Sequence, residues 1–269
     1  MTAKREKQVG ETNNTPYRRI LLRVAYDGTN YHGWQLQPTE ISIEAVLNRA
    51  IKELTGEDIQ VIGASRTDAG VHALGNIAVF DTHSRIPAEK FSYALNQRLP
   101  EDVIVQESRE VPAGFHPRHC HCEKTYEYTI LNRRFPLPEY RHTAHFDYGI
   151  LDVPAMQQAC KSFTGEHDFA AFCSAGAQVQ TTVRTIYSLE VDASPLPDGQ
   201  LVTIRVRGNG FLYNMVRIIA GTLLEVGKRH LKPEQIPGII ASLDRGKAGP
   251  TAPARGLKLV EIKILEEKM

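Results

Sequence analysis

The chain has 269 residues, of which 42% are hydrophobic and 23% are charged, and its formal net charge is +1 at pH 7. The length predicts two domains, and the composition is that of a soluble globular protein. The sequence has no long apolar run and begins with polar residues, which argues against a membrane span and a signal peptide and makes a cytoplasmic location the default. Its four cysteines lack disulfide-like spacing and are expected to be free thiols.

The first half of the chain alternates predicted strands and helices. Residues 1–16 are polar and aperiodic and are predicted to form a disordered basic arm. An N-terminal α+β domain is expected over residues 17–112, with antiparallel strands and helices on one face. Its predicted strands are Arg18 to Tyr26, a run leading to Gly63, Asn76 to Asp81, and Val103 to Val105; its predicted helices are Ile43 to Leu54 and Pro87 to Leu99.

The second half, residues 113–269, is predicted to be a C-terminal α+β domain. It begins within an aperiodic crossover from Val111 to Cys122. The predicted strands are Lys124 to Ile130, a hairpin of Val183 to Val191 with Leu201 to Arg207, and Leu257 to Leu265. The predicted helices are Val153 to Phe163, the very apolar Phe211 to Val226, and a short one near Pro233 to Leu243.

One loop stands out as a candidate for chemistry. Residues 63–72 read Gly-Ala-Ser-Arg-Thr-Asp-Ala-Gly-Val-His and lie between two apolar runs, so they are predicted to join two strands. Asp68 lies two residues after Arg66 and two before Gly70, and loops on a rigid sheet often carry catalytic groups. The alternative is that Asp68 caps a turn in which Gly70 supplies a positive φ.

The string Arg66 to His72 resembles the active-site motif of the tRNA pseudouridine synthase A family. Further stretches resemble that family's motifs in the same order: Tyr26 to Gln35, Phe115 to Arg118, Lys124 to Tyr128, Gly165 to Phe169, Phe211 to Arg217, and Gly249 to Pro253. The resemblance covers nearly everything after residue 17. It implies an α+β fold of two similar subdomains, with mainly antiparallel sheets flanked by helices and the active site in the cleft between them.

The resemblance also implies an activity and its partners. The protein would isomerise uridine in the anticodon stem-loop of tRNA, at positions 38–40, as a homodimer that needs no cofactor and no metal. A synthase that acts on other RNA positions is the alternative within the same family. Asp68 would be the catalytic nucleophile or base, and three routes stay open: attack on the sugar C1′, attack on C6 of the base, or removal of the 2′ proton.

Other residues take roles by the same resemblance. Tyr126 would stack on the target base and assist removal of the C5 proton, and Arg66 would fill the gap left by a flipped nucleotide. Arg217 lies in an apolar helix, where an unpaired charge is costly, so an acidic partner is expected. The family pairs this arginine with the aspartate, whereas Glu225 is the local alternative. Leu257 would pack under the site, and His72 would contribute to substrate binding.

A basic and histidine-rich stretch lies between Phe115 and His145. Arg118, Arg133 and Arg134 are its candidate phosphate contacts, although a solvated surface would have the same composition.

Two alternative hypotheses about function remain. One is a zinc site, whose candidate ligands are His116, His119, Cys120, His121 and Cys122, although their spacing is unusual for zinc. The other is a non-catalytic RNA chaperone with the same fold.

Overall fold

The computed structural model describes residues 17–176 and 179–266, so the predicted N-terminal arm lies outside the described residues. Within these residues the strands are β1 (Arg18–Tyr26), β2 (Ile62–Gly63), β3 (His72–Thr82), β4 (Val103–Val111), β5 (His121–Arg133), β6 (His145–Asp147), β7 (Gly165–Asp168), β8 (Val183–Leu196), β9 (Gly199–Gly208) and β10 (Leu257–Glu266). The α-helices are α1 (Ile43–Thr55), α2 (Phe91–Asn96), α3 (Val153–Cys160), α4 (Met215–Gly227) and α5 (Ile236–Ser242).

The strands form one mixed sheet in the order β4-β1-β3-β10-β5-β9-β8-β7, with β2 on β3 and β6 on β5. The pairs of β10 with β3 and of β5 with β6 are parallel, and the other described pairs are antiparallel. The expected α+β class is therefore confirmed. Strands from both halves of the chain meet where β10 lies between β3 and β5. The proposed division after residue 112 falls just beyond the end of β4 and stays a prediction.

Several element bounds differ from those expected. Helix α4 begins at Met215 and not at Phe211, because Asn214 has a left-handed backbone with φ of 60° that interrupts the helix. The crossover is shorter than predicted, since β4 continues to Val111 and β5 begins at His121. Strands β6 and β7 are too short for a periodic pattern to reveal them.

Helix α4 packs closely against the segment from Gly249 to Ala252. A Cβ on Gly221 would overlap the carbonyl oxygen of Pro250, so only glycine permits this approach. The Thr222 hydroxyl accepts a hydrogen bond from the Gly249 amide at 2.9 Å. This contact holds the segment before β10 against the middle of α4.

Within the described chain, no helix combines the length and the apolar character that crossing a bilayer requires.

Candidate active site

The loop between β2 and β3 alternates buried and accessible side chains around Asp68. Ser65 and Thr67 are buried, whereas Arg66 is exposed and Asp68 is partly exposed. The Thr67 hydroxyl hydrogen-bonds the Tyr26 hydroxyl at 2.7 Å, and the Asn76 side-chain amide donates to the Ser65 carbonyl at 3.0 Å. These buried contacts hold Ser65 and Thr67 in place. The side chains of Arg66 and Asp68, which alternate with them, remain accessible.

The backbone after Asp68 forms the turn that the sequence suggested. Gly70 has φ of +76°, and the Val71 amide donates to the Asp68 carbonyl at 3.1 Å. The loop after β1 packs on this turn, because the Trp34 amide donates to the Thr67 carbonyl at 3.0 Å. The turn therefore uses the carbonyl of Asp68 and leaves its carboxylate available.

That carboxylate forms an ion pair with Arg217 of α4. The Arg217 Nη1 atom lies 3.2 Å from Asp68 Oδ2, and the two residues are 149 positions apart in the chain. Glu225, the local alternative partner, instead contacts His230 at 2.8 Å. The Arg217 guanidinium is held in place by two further acceptors, the Ala252 carbonyl at 2.7 Å from Nε and the Asn214 side chain at 2.9 Å from Nη1. The Asp68–Arg217 ion pair therefore connects the candidate catalytic loop to helix α4 in the second half of the chain.

The environment of Asp68 acts on its pKa in two opposite directions. Burial is the larger influence and raises the pKa above the usual value, while the charge and hydrogen bond of Arg217 lower it. Because the net direction is upward, the carboxylate is more basic than an exposed aspartate. A carboxylate with this property beside a fixed cation is suited to take a proton or to attack an electrophilic carbon.

Tyr126 lies on β5 close to the loop. Its side chain is buried, its hydroxyl is 2.8 Å from the Ser65 hydroxyl, and its ring meets Phe211 edge-on at 5.3 Å between centroids. Burial raises the pKa of Tyr126 to about 12, and the charge of Asp68 contributes in the same direction. The phenol is therefore protonated at neutral pH.

Two cationic side chains tie the start of the loop to the chain around β5. Arg118 Nε donates to the Gly63 carbonyl at 2.9 Å, and Lys124 Nζ donates to the Ala64 carbonyl at 2.9 Å. Burial of the Lys124 side chain lowers its pKa. The terminal nitrogen of this buried side chain makes the contact with the loop. Arg118, proposed above as a phosphate contact, thus also supports the loop backbone.

His72 and Leu257 both lie at the edge of the site in buried positions. His72 Nδ1 accepts from the Gly28 amide at 3.1 Å, and the opposite ring nitrogen contacts the His142 carbonyl at 2.8 Å. In the free protein this imidazole therefore links three chain segments, and its contact with substrate stays a prediction. Leu257 begins β10, where its register partner on β5 is Tyr128.

Arg133 ends β5, about 23 Å from Tyr126 at the usual rise of a strand, and Arg134 follows it. Arg134 is exposed and its guanidinium lies 5.1 Å from the Phe135 ring centroid. Both arginines line a shallow pocket of about 430 Å³, together with Tyr148 and Ile150. The structure thus places this arginine pair outside the immediate surroundings of Asp68.

The candidate zinc ligands between His116 and Cys122 make ring-stacking and hydrogen-bond contacts. The rings of His116 and His119 stack with centroids 4.1 Å apart, and the Cys120 thiol donates to the Pro117 carbonyl at 3.4 Å. In the part of the chain that the structure describes, no group of three or more His, Cys, Asp or Glu side chains is arranged to hold a metal ion.

Sequence reasoning missed three residues that complete the site: Ser65, Lys124 and Asn214. Lys124 and Asn214 lie in stretches that resemble family motifs, and Ser65 lies in the candidate loop, but their contacts are long-range. Only the left-handed backbone of Asn214 had a local signal, since asparagine tolerates that conformation better than most residues.

Comparison with known proteins identifies the class to which this chain belongs. A family model described as tRNA pseudouridine synthase matches residues 23–119 and 159–263, which include Asp68 and Arg217. The chain therefore belongs to the tRNA pseudouridine synthase family.

Individual relatives agree with this assignment over most of the chain. The tRNA pseudouridine synthase A of Ruminiclostridium cellulolyticum is 51% identical over 245 residues, which cover 91% of this chain and 99% of the relative. The enzyme of the same name from Acetivibrio thermocellus is 49% identical with the same coverage. The tRNA pseudouridine synthase A 2 of Clostridium tetani is 50% identical over 247 residues, 91% of this chain and 98% of the relative.

Proposed function

We propose that this protein is an isomerase that converts uridine to pseudouridine in tRNA, with Asp68 as the catalytic residue. The observation that carries the proposal is the Asp68–Arg217 pair, which places a partly buried carboxylate of raised basicity next to a fixed cation. Membership of the tRNA pseudouridine synthase family supports tRNA as the substrate. The relatives' name, tRNA pseudouridine synthase A, supports the formation of pseudouridine as the reaction.

The reaction breaks the bond between the sugar C1′ and N1 of uracil, turns the base, and rejoins C1′ to C5. C5 then loses its proton and N1 gains one, so that the product is an isomer of uridine. Asp68 can serve each of the three routes, as a nucleophile toward C1′ or C6 or as a base toward the 2′ proton. In every route the carboxylate must be ionised at the start. The Arg217 cation favours that ionised form and limits the rise in pKa that burial causes.

Arg66 and Tyr126 complete the proposed mechanism. A base cannot be rearranged while it is stacked in a helix, so the target nucleotide is flipped into the cleft. Arg66 is exposed beside Asp68 and would occupy the space that the nucleotide leaves. Tyr126 would stack on the flipped uracil. Because its phenol keeps its proton at neutral pH, its hydroxyl is suited to hydrogen bonding more than to removing the C5 proton as a base.

Finer features of the proposal follow the family resemblance. The target uridines would lie on the 3′ side of the anticodon stem-loop, and the active form would be a cytoplasmic homodimer without cofactor or metal. Arg118, Arg133 and Arg134 would contact tRNA phosphates, and His72 and Leu257 would shape the substrate site.

Tritium release provides the test of this function. Purified protein is incubated with tRNA transcripts that carry C5-tritiated uridine, and modified positions are then mapped by chemical labelling of pseudouridine. We expect tritium release with product at uridines on the 3′ side of the anticodon stem-loop. Tight tRNA binding without any release of tritium would favour the alternative hypothesis, a non-catalytic RNA chaperone.

A further inference from the structure

Strand β10 separates the strand that carries Tyr126 from the strand that follows the Asp68 loop. Leu259 of β10 is the register partner of Tyr126 on one side and of Ala73 on the other. The backbone ladder thus connects Tyr126 to the loop through an intervening strand. A side-chain contact between the loop and β5 would therefore connect Tyr126 to the loop of Asp68 without the intervening strand.

Ser65 makes such a contact. Its hydroxyl and that of Tyr126 are 2.8 Å apart, and each residue is only 6% exposed. The contacts of Arg118 with Gly63 and of Lys124 with Ala64 hold the two preceding residues against the chain around β5. Ser65 is the last of these three bridges before Asp68.

The tyrosine ring is therefore fixed at two points. Ser65 holds the hydroxyl, and Phe211 meets the ring edge-on with an interplanar angle of 84°. Two such contacts restrict both the tilt and the rotation of the ring. The hydrogen bond between Ser65 and Tyr126 also lowers the pKa of Tyr126, in opposition to burial.

We infer that Ser65 is a positioning residue, which holds the Tyr126 ring at a set orientation to Asp68 so that a uracil stacked on the ring presents its reacting atoms to the carboxylate. This inference rests on the proposed function and concerns the same site. Ser65 acts through the Tyr126 hydroxyl.

The first test is Ser65→Ala in steady-state kinetics on tRNA. Loss of one neutral hydrogen bond should lower kcat by about five- to tenfold. KM should stay within about twofold of wild type, because groups that bind RNA are unchanged. Ser65→Thr restores a hydroxyl and should recover most of the lost kcat. The matched control is Ser92→Ala, which removes another buried hydroxyl, one that donates to the Glu89 carbonyl, and should leave kcat unchanged.

A double-mutant cycle with Tyr126→Phe separates positioning from general structure. If Ser65 acts through the tyrosine hydroxyl, Ser65→Ala should slow wild type in single-turnover reactions but have no further effect on Tyr126→Phe. An equal factor in both backgrounds would overturn the inference, and so would wild-type kcat in Ser65→Ala.

Two other results have defined meanings. An inactive wild type would contradict the proposed function itself, whereas an active wild type with additive variants contradicts only the role of Ser65. If Ser65→Ala does not fold, Ser65→Gly enters the same cycle. Failure of both to fold would make Ser65 a folding residue and reject positioning.

Discussion

At Asp68, burial and the Arg217 guanidinium act on the same carboxyl group in opposite directions, and burial is the stronger. The folded protein therefore holds a proton on Asp68 more tightly than the unfolded chain does. Stability linked to this group is fully present below the usual carboxyl pKa and is lost as the pH rises through the raised value. Ionised Asp68 thus costs stability at neutral pH, which is common where function requires a buried charge.

This linkage predicts the stability of Asp68→Asn. Asparagine resembles the protonated acid and cannot ionise, so the variant should have a higher Tm than wild type at neutral pH. The difference should narrow as the pH is lowered toward the usual carboxyl pKa of about 3.9. Thermal unfolding over a pH series is the measurement. A variant that is less stable than wild type at neutral pH, by a margin that shrinks as the pH is lowered, would show that the Arg217 pair outweighs burial.

Local sequence patterns predicted some properties of these residues but did not identify their partners. The position of Arg217 in an apolar helix required an acidic partner, because an unpaired buried charge is costly. Choosing Asp68 over Glu225 needed either the family resemblance or the fold, since the two residues are 149 positions apart. The contact of Ser65 with Tyr126 had no local signal, because a single serine in a loop satisfies its hydroxyl in many ways.

At the scale of elements, periodicity predicted most strands and helices, and the misses have physical causes. Helix α4 was expected to begin at Phe211, but the left-handed Asn214 delays its start to Met215. This break matters to the site, because Phe211 is thereby free to meet Tyr126 and Asn214 to hold Arg217. Apolar patterns report burial and do not report such a break.

The close approach of α4 to the segment before β10 gives a prediction for Gly221→Ala. The new Cβ would overlap the Pro250 carbonyl oxygen, so helix and segment must separate. We expect a loss of about 2–3 kcal/mol in the free energy of unfolding, as for an overpacked core. Activity should fall as well, since the Ala252 carbonyl that holds Arg217 belongs to this segment. Denaturant unfolding and kcat measure the two effects.

Gly238→Ala is the matched control for that substitution. Gly238 lies in α5 and is exposed, and a Cβ added there would meet no other atom within 4 Å. Alanine should stabilise this helix by up to about 1 kcal/mol through helix propensity. Equal effects of the two substitutions would mean that the approach of α4 to Pro250 is not needed for stability.

At the scale of the whole molecule, the sheet order was beyond local patterns. The last described strand, β10, is inserted between β3 of the first half and β5 of the second. Strand periodicity fixes which face is buried but not which distant strand is the neighbour. The expectation of two halves around a cleft came from the family resemblance, and the ordered series of motifs supported it more than any composition did.

A net charge of +1 means that tRNA binding depends on how the charges are distributed. If Arg133 and Arg134 contact phosphates, replacing both by alanine should reduce the slope of log affinity against log salt by about 1 to 2. The double variant Arg49→Ala with Arg98→Ala, two exposed helix-region arginines, is the control and should keep the wild-type slope. Coincident slopes for wild type and the Arg133/Arg134 variant would place the RNA on another surface.

The central claim, that the Asp68 carboxylate performs the isomerisation, is tested most directly by single-turnover pseudouridine formation in Asp68→Asn. The substitution keeps the size of the side chain and an acceptor for Arg217 but removes the nucleophile or base. We expect tRNA affinity close to wild type and no detectable product, while the exposed control Asp58→Asn retains full activity. Product formation by Asp68→Asn at more than a small fraction of the wild-type rate would contradict the account.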